Sequence, residues 1–140
     1  MPRIMAIDYG LKRTGIAVTD PLQIIATGLT TVESPKLIAY LKEYMRTETV
    51  ELILIGEPKN LDDSDTHATP LVRQAMEKLE KEFPAIPLMA VDERFTSKMA
   101  SRAMIEMGMK KKQRRNKALV DEIAATIMLQ EWLERAGGRP

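Results

Sequence analysis

Hydrophobic and polar positions change period along this chain, and the change divides it into two halves. Near the N-terminus the apolar runs are short, β-branched and close together. Arg3–Tyr9 and Thr14–Thr19 read as strands joined by a turn carrying Gly10, and Ile24–Val32 reads as a third. Runs so closely spaced predict an antiparallel meander. From Ser34 onward the period switches to helix alternating with strand. Ser34-Pro35 reads as an N-cap with proline at the first helical position, ahead of Leu37, Ile38, Leu41, Tyr44 and Met45 at helical spacing. Leu52–Ile55 is a continuous apolar run closed by Gly56 and Pro58, as in a buried central strand. Thr69-Pro70 repeats the capping signal before Val72, Ala75, Met76, Leu79 and Phe83, and Pro87–Val91 predicts another buried strand. Thr96 caps a helix expected to run to Met107 and stop at Gly108, and a last helix is expected from Lys117 to about Arg135. Three strands followed by this alternation predict an α/β fold. Its mixed five-stranded sheet joins the antiparallel three-strand meander to two parallel strands, with helices on both faces.

No repeat, linker or low-complexity stretch interrupts the pattern. A single domain over residues 1–136 is expected, with 137–140 as a disordered Gly-rich tail. The length of 140 residues is enough for a core without disulfide or structural-metal support. There is no cysteine, which excludes a disulfide framework, a thiolate zinc site and a cysteine nucleophile. His67 is the one histidine, set in the polar stretch 62–67 and read as an exposed loop residue, so histidine-rich metal sites are excluded too. Asp8 interrupts the first apolar run, and no run reaches the length of a membrane span. Neither a signal peptide nor membrane association is expected, and the lack of cysteine fits a reducing cytoplasm.

The net charge of +1 conceals a polarised chain. Between Lys98 and Lys117 there are eight basic residues and one acid, a local net of +7 that leaves −6 for the remainder. A basic zone of this kind suits a polyanion held against one edge. Lys110, Lys111, Lys112, Arg114 and Arg115 form its dense part, just ahead of the last helix. They are expected to touch the phosphate backbone without reading sequence. The alternative is a solvated charged loop. With two Phe, three Tyr and one Trp, no aromatic platform for stacking bases is visible.

Against this background three acids stand out. Asp8 closes the apolar strand Ile4–Ile7 and leads into a loop whose Gly10 and Gly15 let backbone approach a ligand. Lys12 and Arg13 in that loop are candidates to meet phosphate. Asp92-Glu93-Arg94 follows the strand ending at Val91, and strand ends are where ligands bind in open sheets with parallel strands. Asp121 leads a helical stripe completed by Ala124, Ala125, Met128 and Trp132; a carboxylate facing a sheet must be paired or hold a cation. The bland readings are a turn aspartate, a solvated acid paired with Arg94, and an acid favoured by the helix dipole. Glu57, at the end of another strand, is a spare candidate. Carboxylates arriving from two strand ends and a helix are the parts of a Mg2+ or Mn2+ site of one or two ions. Such ions bind oxygen ligands and serve phosphodiester hydrolysis.

The segments Ile7–Asp20, Gly56-Glu57-Pro58, Val91–Ser97, Lys117–Asp121 and Ala124-Ala125 through Leu129-Gln130 together resemble the YqgF/RuvX family. These are the Holliday-junction-resolvase-like proteins also described as pre-16S rRNA nucleases, and the resemblance spans essentially the whole chain. It implies a ribonuclease H-like fold and a divalent-metal nuclease. Asp8, Glu93 and Asp121 match the family's acidic positions as catalytic residues and metal ligands, whereas Glu57 stands where many members carry an uncharged residue. A nucleic-acid substrate is expected, with Lys12, Arg13, Arg94, the 110–115 run and Lys117 as the candidate residues that bind it. Structured RNA is the favoured substrate, through trimming of the 5′ end of the 16S rRNA precursor in a pre-ribosomal particle. Four-way DNA cut by a resolvase is the alternative, and either a monomer or a homodimer is compatible. Two further classes remain: a non-catalytic nucleic-acid binder, and an actin-like ATPase, whose first phosphate loop also resembles residues 8–15 but whose nucleotide lies between two such domains.

Overall fold

The computed structural model describes residues 2–57, 69–92 and 117–137, with the side chains of Glu57, Thr69, Asp92, Lys117, Ala118, Ala136 and Gly137 outside that description. Five strands form one sheet: β1 (Arg3–Tyr9), β2 (Arg13–Thr19), β3 (Ala26–Glu33), β4 (Val50–Glu57) and β5 (Leu88–Asp92), in the order β3-β2-β1-β4-β5. The meander β1-β2-β3 is antiparallel, and β4 and β5 add to it in parallel beside β1. Three α-helices are described: α1 (Leu37–Tyr44), α2 (Thr69–Glu82) and α3 (Lys117–Gly137).

Period-two alternation along the central strands divides the core into two layers. Met5 and Ile7 of β1, Ile16 and Val18 of β2, and Ile53 and Ile55 of β4 pack with Leu37 and Leu41 of α1 and with Val72, Ala75 and Leu79 of α2. The intervening residues Ile4, Ala6, Ala17 and Leu54 face the other way, against Ala125, Met128, Leu129 and Leu133 of α3. The helices therefore cover both faces of the sheet, α3 lying mainly across β2 and β3 and touching β1. Small residues where α3 meets the sheet, Ala6 and Ala17 below and Ala124 and Ala125 above, bring helix and sheet close together. The buried side of α3 is centred on Ala125 and Leu129, so Trp132 of the expected stripe is only partly buried.

Several expectations are corrected. Ser34 does not cap a helix. Residues Ser34–Lys36 form a 3-10 turn without a side-chain cap, and the buried Ser34 hydroxyl serves the loop between β1 and β2. The third strand begins at Ala26, not Ile24, because the amides of Ile24 and Ile25 both donate to Asp20 Oδ1 at 2.8 Å rather than to the ladder. The strand at Leu88–Asp92 is an edge strand of the described sheet rather than a fully buried one, with Met89 46% exposed. The last helix continues through Gly137. The helix expected over Thr96–Met107 and the loop containing His67 lie outside the described residues.

Candidate active site

Asp8 is the sixth residue of β1, and the alternation that buries Ile4 and Ala6 under α3 brings Asp8 to the same face just beyond them. In the register of β1 with β2, Asp8 pairs with Gly15. Gly15 in turn lies beneath the α3 backbone. A Cβ there would fall 2.1 Å from the Asp121 carbonyl oxygen and 2.8 Å from the Glu122 nitrogen, both immovable without shifting the helix. This glycine, read from sequence as space for a ligand, is space for the helix. It brings the turn bearing Asp121 down onto the strand paired with Asp8.

The two carboxylates line one open cleft of about 490 Å³, together with Tyr9, Gly10, Leu11, Lys12 and Arg13. Asp121 is partly exposed, at 25% of its side chain, and accepts a hydrogen bond from Arg13 Nε to Oδ2 at 3.1 Å. The ion pair joins the first residue of β2 to α3 across 108 positions of sequence. Lys12 and Leu11 are exposed at the rim. Tyr9 and Leu11 also border a second cavity of about 280 Å³, more apolar in its lining, with Leu37, Ile38 and Leu79.

A set of main-chain ties fixes the loop that bears Lys12 and Arg13. The Ser34 hydroxyl donates to the Gly10 carbonyl, which leaves Thr14 as donor to Ser34 across 2.8 Å. Ser34 N also donates to the Lys12 carbonyl at 3.0 Å. Thr14 is fully buried, so this polar contact lies inside the fold, where each partner must be satisfied. Sequence reading missed this role. A serine before proline at the head of an apolar helix pattern carries no sign that its hydroxyl points backward to a loop 24 residues earlier.

Of the other candidates, Glu57 closes β4 and pairs in register with Asp92 of β5, which places the two strand ends side by side. Glu93, Arg94, Lys110, Lys111, Lys112, Arg114 and Arg115 lie outside the described residues, and Lys117 is described by its backbone alone. Among the described residues no third metal-capable side chain joins Asp8 and Asp121. The two that do converge are hard oxygen donors at the edge of an open cleft with cationic side chains on its rim, a donor set that fits Mg2+ or Mn2+.

A family model described as RuvX, Holliday junction resolvase, matches residues 2–135. The chain belongs to the RuvX family. Among its relatives, a protein of Christiangramia forsetii is 56% identical over 133 residues, covering 95% of this chain and 98% of its own. One from Flavobacterium psychrophilum is 57% identical over 135 residues, covering 96% and 98%. Both are provisionally named pre-16S rRNA nuclease. Among solved structures, T. thermophilus RuvC in complex with a Holliday junction substrate superposes with a TM-score of 0.58 at 19% identity, covering 98% of this chain and 97% of that one. At that identity the likeness is one of fold, and the fold is ribonuclease H-like. RuvX membership and this fold together identify a nuclease family whose substrates are nucleic acids. No helix among the described residues is long and apolar enough to cross a membrane.

Proposed function

We propose that the chain is a divalent-metal-dependent nuclease that processes the 5′ end of the 16S rRNA precursor, with Asp8, Glu93 and Asp121 as its catalytic acids. The observation that carries this reading is the convergence of Asp8 and Asp121, 113 positions apart, in one cleft edged by Lys12 and Arg13. Glu93 enters as the third acid on its place after β5 and the family match. Glu57 is a spare ligand at the neighbouring strand end. A bound Mg2+ or Mn2+ would supply a water of lowered pKa and charge neutralisation for in-line displacement at phosphorus.

The chain's own residues do the rest. Asp8 is held by strand pairing and Asp121 by the close seat of α3 over Gly15, so the main chain that carries each carboxylate is in place before ligand arrives. Lys12 and Arg13, which line the cleft, would meet phosphate oxygens flanking the scissile bond. Arg94, the 110–115 basic run and Lys117 extend that footprint along the backbone. The relatives' provisional name favours precursor rRNA in a pre-ribosomal particle, and hence action in the cytoplasm.

A second reading, cleavage of four-way DNA, is favoured by the family description. It would need two symmetric cuts and hence a dimer. The two are separated by offering a 5′ precursor fragment of 16S rRNA and a synthetic four-way junction side by side with Mg2+ or Mn2+. Preferential cutting of the RNA, by a monomer in sedimentation, supports the proposal. Paired symmetric nicks in the junction would replace it with the resolvase, and binding of either without cutting would replace it with a non-catalytic binder.

A further inference from the structure

We propose that Arg13 is a positioning residue that competes with a divalent cation for Asp121, and so couples metal binding to phosphate binding. The inference rests on the metal-nuclease reading and deepens it. Its starting point is the contact of Arg13 Nε with Asp121 Oδ2 at 3.1 Å. That oxygen belongs to one of the two carboxylates lining the cleft. A cation bound there would take the same oxygen or its neighbour. A guanidinium left in place would then stand within one side chain's width of a doubly charged ion, a strongly unfavourable arrangement in a partly desolvated cleft. Metal and Arg13 therefore exclude one another at Asp121.

Arg13 is built to let go. Its main chain is fixed as the first residue of β2, paired with Glu33 of β3 and next to the Lys12 carbonyl bound by Ser34. Its side chain is 37% exposed, which leaves the guanidinium room to swing on a fixed base. Its destination lies nearby, because the rim shared with Lys12 is where a phosphodiester would pass, and guanidinium binds phosphate oxygens in a two-pronged fork. Nucleic acid would draw Arg13 away from Asp121 Oδ2 and open that oxygen to metal. Metal arriving first would release Arg13 to the phosphate. By linkage the two ligands tighten one another by a common factor. An arginine that only props Asp121 in place gives the opposite sign, since its loss would weaken metal binding.

The test is Mn2+ binding to the full chain, read by electron paramagnetic resonance of free Mn2+ and by calorimetry, for wild type, R13Q, R13K, D8N and D121N. Thermal melts establish that each variant is folded. Without nucleic acid, R13Q is expected to bind Mn2+ about fivefold more tightly than wild type, the effect of removing one partly exposed ion pair. R13K, which keeps the charge, should stay near wild type. A 2′-O-methyl RNA oligonucleotide should tighten Mn2+ binding by a larger factor in wild type than in R13Q, the difference being the part of the coupling that runs through Arg13. Unchanged or weaker Mn2+ binding in R13Q, with binding lost in D121N, overturns the competition and leaves the metal site standing. Unchanged binding in both D8N and D121N overturns the metal site itself.

Discussion

Gly15 and Asp121 meet backbone to backbone: a methyl group on Gly15 would lie 2.1 Å from the Asp121 carbonyl oxygen. A main-chain oxygen cannot turn aside as a side-chain tip can, so Gly15→Ala has to lift the start of α3. The expected loss is about 1–3 kcal/mol of stability. Activity should fall further, by about a hundredfold, because the displaced turn carries Asp121. Gly28 supplies the control. A Cβ there would meet only the Glu122 side chain, its carboxylate oxygen at 2.8 Å and its Cγ at 2.9 Å, which can swing aside as backbone cannot, so Gly28→Ala should cost less than Gly15→Ala in both stability and activity. Urea unfolding and cleavage assays on the two variants check the contrast.

Ser34→Ala should loosen the loop between β1 and β2. Removing the hydroxyl leaves the Gly10 carbonyl without that donor and the buried Thr14 hydroxyl without that acceptor. The expected cost is about 1–3 kcal/mol. Hydrogen exchange should show faster opening at residues 10–14, with nucleic-acid binding weakened because Lys12 and Arg13 ride on that loop.

At the far end of the same hairpin, Asp20 accepts from the amides of Leu22, Ile24 and Ile25. The bond from Ile25 does most to hold its pKa below the ordinary aspartate value, and desolvation works against it. A carboxyl whose folded pKa is depressed contributes stability that is present above the unfolded value, roughly 4. That contribution is lost as pH falls through the lower folded value. The stability difference between wild type and Asp20→Asn should therefore be present near neutrality and close in acid below pH ~4. Denaturant midpoints measured at intervals from neutral to acid pH follow it directly.

Replacing Lys110, Lys111 and Lys112 together with Gln should weaken nucleic-acid binding at low salt and reduce the slope of log K against log salt by about three. The slope would stay at the wild-type value if the run were only a solvated face.

What could be read from the sequence follows from how local each signal is. The limits of β1, Arg3–Tyr9, agree between pattern and structure because an apolar run closed by Asp8 defines its own ends. The start of β3 was misjudged by two residues because the Asp20 carboxylate, not a partner strand, takes the amides of Ile24 and Ile25. Asp121 was conspicuous because an acid heads an otherwise apolar stripe on α3. Its partner Arg13 was not, because nothing in a single sequence links positions 108 apart. Gly15 was recognised as permitting close approach, but the approaching group is the backbone of α3 rather than a ligand.

The most direct measurement is cleavage of a 5′ fragment of the 16S rRNA precursor by wild type, Asp8→Asn and Asp121→Asn in Mg2+, Mn2+ or EDTA, with binding of the same fragment measured in parallel. The expected result is metal-dependent cutting by wild type that EDTA abolishes. Each asparagine variant should fall by at least about a thousandfold in rate, as loss of a catalytic group does, while still binding the fragment. Cutting that persists in EDTA, or in both variants, would contradict a metal site built on Asp8 and Asp121.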